Sequence, residues 1–252
     1  MTARGLSAAV GMVLMLGAGF IQSGFAQGRT GGPVQVPPSP RTGAPVDLTG
    51  TWVSVVTEDW RWRMVTPPKG DFTSVPLNPA GRKIAESWDP ATDGSCRAYG
   101  AAAVMRMPGR IRISWDSDIT LRVETDAGQQ TRLFNFDAAR RPGPPSLQGH
   151  STAAWERPPA GRGAPLAVSW APLKVVTRNL TGGWLRRNGV PYSAGATVTE
   201  YYLFHRNPDA VDRVTITTIV EDPAYLEQPF ITSSDFRKEA DDSRWNPIPC
   251  KG

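Results

Sequence analysis

The sequence predicts an all-β domain, a single antiparallel meander closing into a barrel, with one short helix near residues 79–88. Three observations predict it. First, from Asp47 onward apolar and polar residues alternate with period two in short runs, the pattern of strands whose successive side chains face opposite sides of a sheet. Second, these runs, about nine of them, are joined mostly by short turns rich in Gly, Asp, Asn and Pro. Third, only one stretch carries a full set of helix signals: Asn78 as N-cap, Pro79 in the first turn, Ile84, Ala85 and Trp88 along one side, and Pro90 as the stop. That many strands must hide their edges, and closure does so most directly. A two-sheet β-sandwich is the alternative, because alternation fixes which way residues face but not how the sheet closes.

In chain order, residues 1–26 have the three parts of a secretory signal: Arg4 at the start, an apolar stretch from Leu6 to Ile21, and Gly24 and Ala26 at the −3 and −1 positions of a cut after Ala26. Gly11, Gly17 and Gly19 weaken the stretch as a membrane-spanning helix, and no Cys near the cut offers a lipid anchor. The expectation is a periplasmic or secreted protein with no transmembrane segment in the mature chain. Residues 27–46, Gly-, Pro-, Thr- and Arg-rich, read as a disordered linker, and 47–252 as the barrel-like domain. A strand is expected at Trp60–Met64, with Trp60 and Trp62 on one face and Arg61 and Arg63 on the other. A hairpin follows through Ile111, Ile113 and Trp115, turning at Asp116–Asp118 and returning through Leu121 and Val123. A turn at Asp126–Gly128 leads to Arg132–Phe136. Further strands are expected at 151–156, 173–178, 196–206, 213–220 and 230–238. Turns are expected at Asn188-Gly189 and Asn207-Pro208-Asp209, and the strands flanking the latter should pair.

The chain has 28 basic and 23 acidic residues, and the leader takes one Arg with it. This mild excess is spread along the chain, so it makes no concentrated nucleic-acid face, and an exported protein has no such partner. The two cysteines, Cys96 and Cys250, read as one disulfide in an oxidising compartment, since no CxxC spacing points to redox or metal chemistry.

Thr49-Gly50-Thr51-Trp52 resembles the Gly-x-Trp that opens the first strand of lipocalin-like barrels. Gly149-His150-Ser151 through Trp155-Glu156, Leu173–Leu180, Val220–Leu226 and Pro229-Phe230 resemble a group of exported bacterial proteins with GHSxxxWE, LxVxTxN and VEDPxYL segments. Leu77–Gly81, Trp88-Asp89-Pro90, and the Cys96 segment with Met107-Pro108 also look like that group. No activity attaches to the group, so the resemblance implies fold and export alone. This chain departs from it by a Pro/Gly-rich insertion at Arg157–Pro165.

For chemistry, His150 and His205 are the only histidines, and His150 and Ser151 as strand neighbours point to opposite faces. No Gly-x-Ser-x-Gly elbow and no HExxH spacing is present, so neither a catalytic triad nor a metal site is expected, and no cofactor is called for. The carboxylates Glu124, Glu156 and Glu200 read first as exposed ion pairs. An inward-facing Glu124 would instead meet Arg132 across the hairpin as a buried pair. The nine tryptophans are the unusual quantity. Most should pack the core, while Trp60, Trp62, Trp115 and Trp155, with Arg61, Arg63, His150 and His205 supplying polar ends, are the candidate ligand-binding set. The leading expectation is a protein that binds a small apolar or aromatic molecule. The alternatives are an isomerase, lyase or hydrolase on the same scaffold using Glu124, Glu156 or His205, and a structural or assembly partner at the cell envelope.

Overall fold

Nine strands close into a barrel in the computed structural model, which describes residues 38–93, 96–157, 171–206 and 211–250. The expected leader, the linker up to residue 37, most of the 157–165 insertion, Trp170 and the Asn207–Asp209 turn lie outside the described residues. Along the chain come β1 (Gly50–Val55), α1 (Trp60–Arg63), α2 (Pro79–Ser87), β2 (Arg110–Ser117), β3 (Thr120–Thr125), β4 (Ala127–Gly128), β5 (Gln130–Asn135), β6 (His150–Trp155) and β7 (Leu173–Arg178). They are followed by β8 (Gly183–Arg186), β9 (Val190–Tyr192), β10 (Thr197–Arg206), β11 (Asp212–Glu221), β12 (Phe230–Lys238) and β13 (Ile248–Pro249). Setting aside the short pairs β4/β13 and β8/β9, neighbours in the barrel are neighbours in sequence, and β1 pairs with both β2 and β12. That double pairing is closure, and it decides against the sandwich.

All barrel pairs are antiparallel except β5/β6, where Phe134 faces Ser151 and Asn135 faces Thr152 in parallel. The strand count requires this. A ring of strands that reverses direction at every step can close only on an even number, so nine strands must contain a parallel neighbour. Parallel neighbours need a longer connection, and residues 136–149 provide it by carrying the chain back along the barrel before β6 starts. The expected pairing of the two strands around residues 207–210 is seen in full, from Thr197 opposite Glu221 to Arg206 opposite Asp212.

Alternation sends one face of each strand inward. Trp52, Ile113, Leu121, Val123, Phe134, Leu173, Val175, Tyr202, Val214, Ile216 and Phe236 fill the interior and are almost wholly buried. Val104 and Met105, from the irregular segment before β2, enter the same core. One end of the barrel is thereby plugged. A second apolar layer, including Leu77, Ala85, Leu180, Leu185, Val190, Tyr192 and Phe230, brings α2 and the β8/β9 hairpin over that end. Helix α2 begins as its sequence dictates, with the Asn78 side-chain oxygen accepting from Gly81 N at 2.9 Å. The hairpin turns at Asn188-Gly189, where Gly189 has φ +81° and a Cβ would stand 2.1 Å from Trp88 Cγ. Only glycine meets both demands.

Segments far apart in the sequence meet at this cap. Asn78 N donates to Tyr225 O at 3.0 Å, and buried Asp222 accepts from Ser193 N at 2.6 Å and Ser193 Oγ at 2.7 Å. Past β12 the chain turns back along the outside of the barrel. Asp242 lies against Thr51 and Arg112, Trp245 lies 4.6 Å from the Arg112 guanidinium, β13 pairs with β4, and a disulfide joins Cys250 to Cys96.

Two local expectations change. Trp60–Arg63 forms a helical turn, not a strand: Asp59 adopts a left-handed conformation with φ 52° and its carbonyl accepts from Trp62 N and Arg63 N. Five alternating residues are too few to tell a strand from a turn. In addition, residues 38–46, expected as linker, lie on the barrel and belong to the same compact unit. Among the described residues no helix is long and apolar enough to cross a membrane.

Candidate functional site

The end of the barrel opposite the cap, its mouth, carries a row of aromatic rings. Strands β2 and β6 end there, placing Trp115 and Trp155 at the rim with Phe136, just after β5, between them. Trp115 and Phe136 have ring centroids 5.6 Å apart at 31°, and Phe136 and Trp155 6.0 Å apart at 33°. The three are only partly buried against the core. Across the mouth, Phe204 of β10 meets Trp52 edge-on at 6.5 Å.

Residues 38–48 lie across this rim as a strap. Trp155 Nε1 donates to Pro40 O at 3.2 Å, the Arg157 guanidinium donates to Gly43 O, Arg41 N donates to Asp118 O at 3.2 Å, and Trp52 Nε1 donates to Leu48 O at 2.9 Å. Val46 packs on the core. Open space remains on both sides. One groove of about 380 Å³ runs between the strap and Trp115, and one of about 590 Å³ runs between the strap and Phe204, with Lys238, Arg206 and Asp212 around it. Cavities of this size take small organic molecules.

No family model, curated protein or solved structure matches the chain. Its chemistry is therefore read from its own geometry.

The barrel interior holds a polar pair among the apolar side chains. Arg132 Nη1 and Nη2 donate to Glu200 Oε1 at 2.8 Å and Oε2 at 2.5 Å, and both side chains are fully buried. Arg132 Nη2 also donates to Thr177 Oγ1 at 3.2 Å, which shares a 2.8 Å hydrogen bond with Ser151 Oγ. Burial alone would lower the guanidinium pKa, but the Glu200 charge and its hydrogen bonds hold it above its ordinary value. Burial, then the Glu200 charge, push the Tyr202 phenol well above its ordinary value. These groups are enclosed by the packed core.

Glu124 takes the outward ion pair read first for it, not the alternative inward pairing with Arg132. Glu200, also read first as exposed, is instead the fully buried partner of Arg132, because it stands on the inward face of β10 with Tyr202. Arg132 stands opposite Val123, while Glu124 faces outward and accepts from Arg112 Nε at 3.0 Å. Glu156 is likewise outside, 2.9 Å from Lys174 Nζ. His205 sits near the mouth but alternates with inward-facing Phe204, and His150 begins β6 at the capped end. Trp60 is 64% exposed on α1, and Arg61 pairs with Asp71 at 3.1 Å. Trp62 and Arg63 turn instead into the cap, beside Arg106 and Arg186. The candidate ligand set is thus divided. Trp115 and Trp155 share the mouth, Trp62 and Arg63 share a pocket at the cap, and the histidines join neither group. Sequence reasoning missed Phe136 and Phe204 at the mouth and Arg106 and Arg186 at the cap. Among the described residues no three His, Cys, Asp or Glu side chains are grouped to hold a metal ion.

Proposed function

We propose that the chain is an exported binding protein that takes a small apolar or aromatic molecule at the mouth of its barrel. The Trp115–Phe136–Trp155 row beneath the strap carries this reading. Tilted rings in a row at a rim, only partly buried and with Trp115 lining one groove beside the strap, give a flat molecule an apolar surface to lie against. The interior is filled by Trp52, Phe134, Tyr202 and Phe236, so the ligand belongs at the rim and not in a central chamber. Support for export comes from the leader-like residues 1–26, together with a disulfide of the kind that persists in oxidising compartments.

The ring row makes a direct test. Titration with indole or naphthalene, followed by calorimetry, should give saturable binding that W115A and W155A each weaken about tenfold or more, in line with ~1–3 kcal/mol per stacked ring. Native mass spectrometry of the protein purified from its own cells should show a retained small molecule. Equal affinity in both variants, with no retained molecule, overturns the proposal.

A further inference from the structure

We propose that the mouth selects aromatic carboxylic acids, with Lys238 holding the carboxylate in the larger of its two grooves. Three neighbouring strands turn from apolar to charged on their inward faces where they leave the core. Inward parity runs from Tyr202 and Phe204 to Arg206 on β10, from Val214 to Asp212 on β11, and from Phe236 to Lys238 on β12. Lys238 stands opposite fully buried Trp52 in the register of β1 with β12, so it belongs to the face that fills the barrel. Its ammonium lies 5.3 Å over the Trp52 ring. It borders the groove of about 590 Å³ that Phe204, Pro45 and Val46 wall with apolar surface.

Lys238 borders a second, outer groove as well, and four carboxylates line the two. Each of them is already engaged. Asp212 accepts from Arg206 Nε at 3.4 Å, and Asp47 accepts from Thr49 N at 2.9 Å and Thr49 Oγ1 at 2.7 Å. Glu239 accepts from Arg110 Nε at 2.6 Å, and Asp241 from Ser243 N at 2.9 Å. Arg237 and Arg244, also on the outer groove, add positive charge. The Lys238 ammonium makes neither an ion pair nor a hydrogen bond among the described residues. The Trp52 ring attracts its charge through the ring face, which leaves N–H donors open to a ligand oxygen.

The wall and the cation together define a class. Phe204, Val46 and Pro45 take an apolar ring, and Lys238 beside them takes an acid group carried on that ring. A neutral ring gains nothing from Lys238, and an inorganic anion leaves the apolar wall wet. A ligand cation would have to compete for Asp47 and Asp212 with the partners they already have. Unlike enclosed Arg132, Lys238 is only partly buried, so a ligand reaches it from solvent. The inference rests on the mouth being the binding site and adds the class of molecule that it prefers.

Three probes that share one ring system make the test: naphthoate, naphthylmethanol and naphthylmethylammonium, titrated calorimetrically into the full chain at low ionic strength. The acid should bind about fivefold to tenfold more tightly than the alcohol. Added salt should shrink that preference. K238M should remove it and leave the affinity for the alcohol unchanged, while K238R, which restores the charge, should keep most of it. Should K238M fail to fold, the Lys238 Cε–Hε signals of the unaltered, isotopically labelled protein decide by nuclear magnetic resonance, shifting saturably with the acid and not with the alcohol. An acid no tighter than the alcohol, a preference that survives K238M, or the ammonium as the tightest of the three overturns the inference and leaves the mouth a binding site. Binding by none of the three overturns both.

Discussion

Glu200 carries one half of a charge pair that has no water to fall back on. Replacing it with Gln leaves Arg132 enclosed and uncompensated, so E200Q should lose about 3–5 kcal/mol of unfolding free energy in urea titrations. The apolar double replacement R132M/E200L should recover most of that loss. Tyr202, whose phenol is held above its ordinary pKa, gives a pH signature. A folded-state pKa above the unfolded value contributes stability that is complete below the unfolded pKa of about 10 and is lost as pH rises toward the folded value. Stability should therefore fall as pH rises above about 10, and Y202F should fall less steeply there. This pair was readable from strand parity. Arg132 shares a face with Phe134 and Phe136, and Glu200 with Val198 and Tyr202, so each charge stands on an apolar face. Glu124, by contrast, alternates with Leu121 and Val123 and belongs outside. What parity does not supply is the partner, because Arg132 and Glu200 lie 68 positions apart and meet only once the sheet has closed.

Most elements follow from their own residues. The hairpins around Asp116–Asp118 and Asp126–Gly128, the helix opened by Asn78 and the turn at Asn188-Gly189 all stand where local signals put them. Elements that depend on distant contacts do not. Trp60–Arg63 alternates like a strand but turns because Asp59 bends the backbone and the cap draws Trp62 and Arg63 inward. The strap over the mouth has the composition of a linker, and its contacts are made largely through backbone carbonyls, which leave no trace in residue type. The returning tail is held at its far end by the Cys96–Cys250 disulfide, which closes 154 positions of chain. Replacing both cysteines with serine should lower stability by up to about 5 kcal/mol. The same variant should make Trp245 more open to a fluorescence quencher while the barrel keeps its β-sheet circular dichroism.

At the scale of the whole molecule, the odd strand number sets the topology. Nine barrel strands require a parallel neighbour, yet the sequence shows neither the exact count nor the place, because Trp60–Met64 alternates without being a strand and residues 136–149 carry no pattern that marks them as the long return. The functional surfaces inherit this arrangement. Returning the chain to the cap before β6 lets β6 end at the mouth, and that is what brings Trp155 beside Phe136.

The pairing of β1 with β12 also fixes an order of events. A chain made from its N-terminus holds two open sheet edges until its last barrel strand arrives, and only then does the tail reach the Cys96 region. In an oxidising medium the Cys96 thiol consequently acts as a record of completion. Any chain cut short before Cys250 keeps that thiol, whereas the complete, bridged chain has none, so a thiol-reactive tag separates truncated molecules from complete ones without reference to their shape.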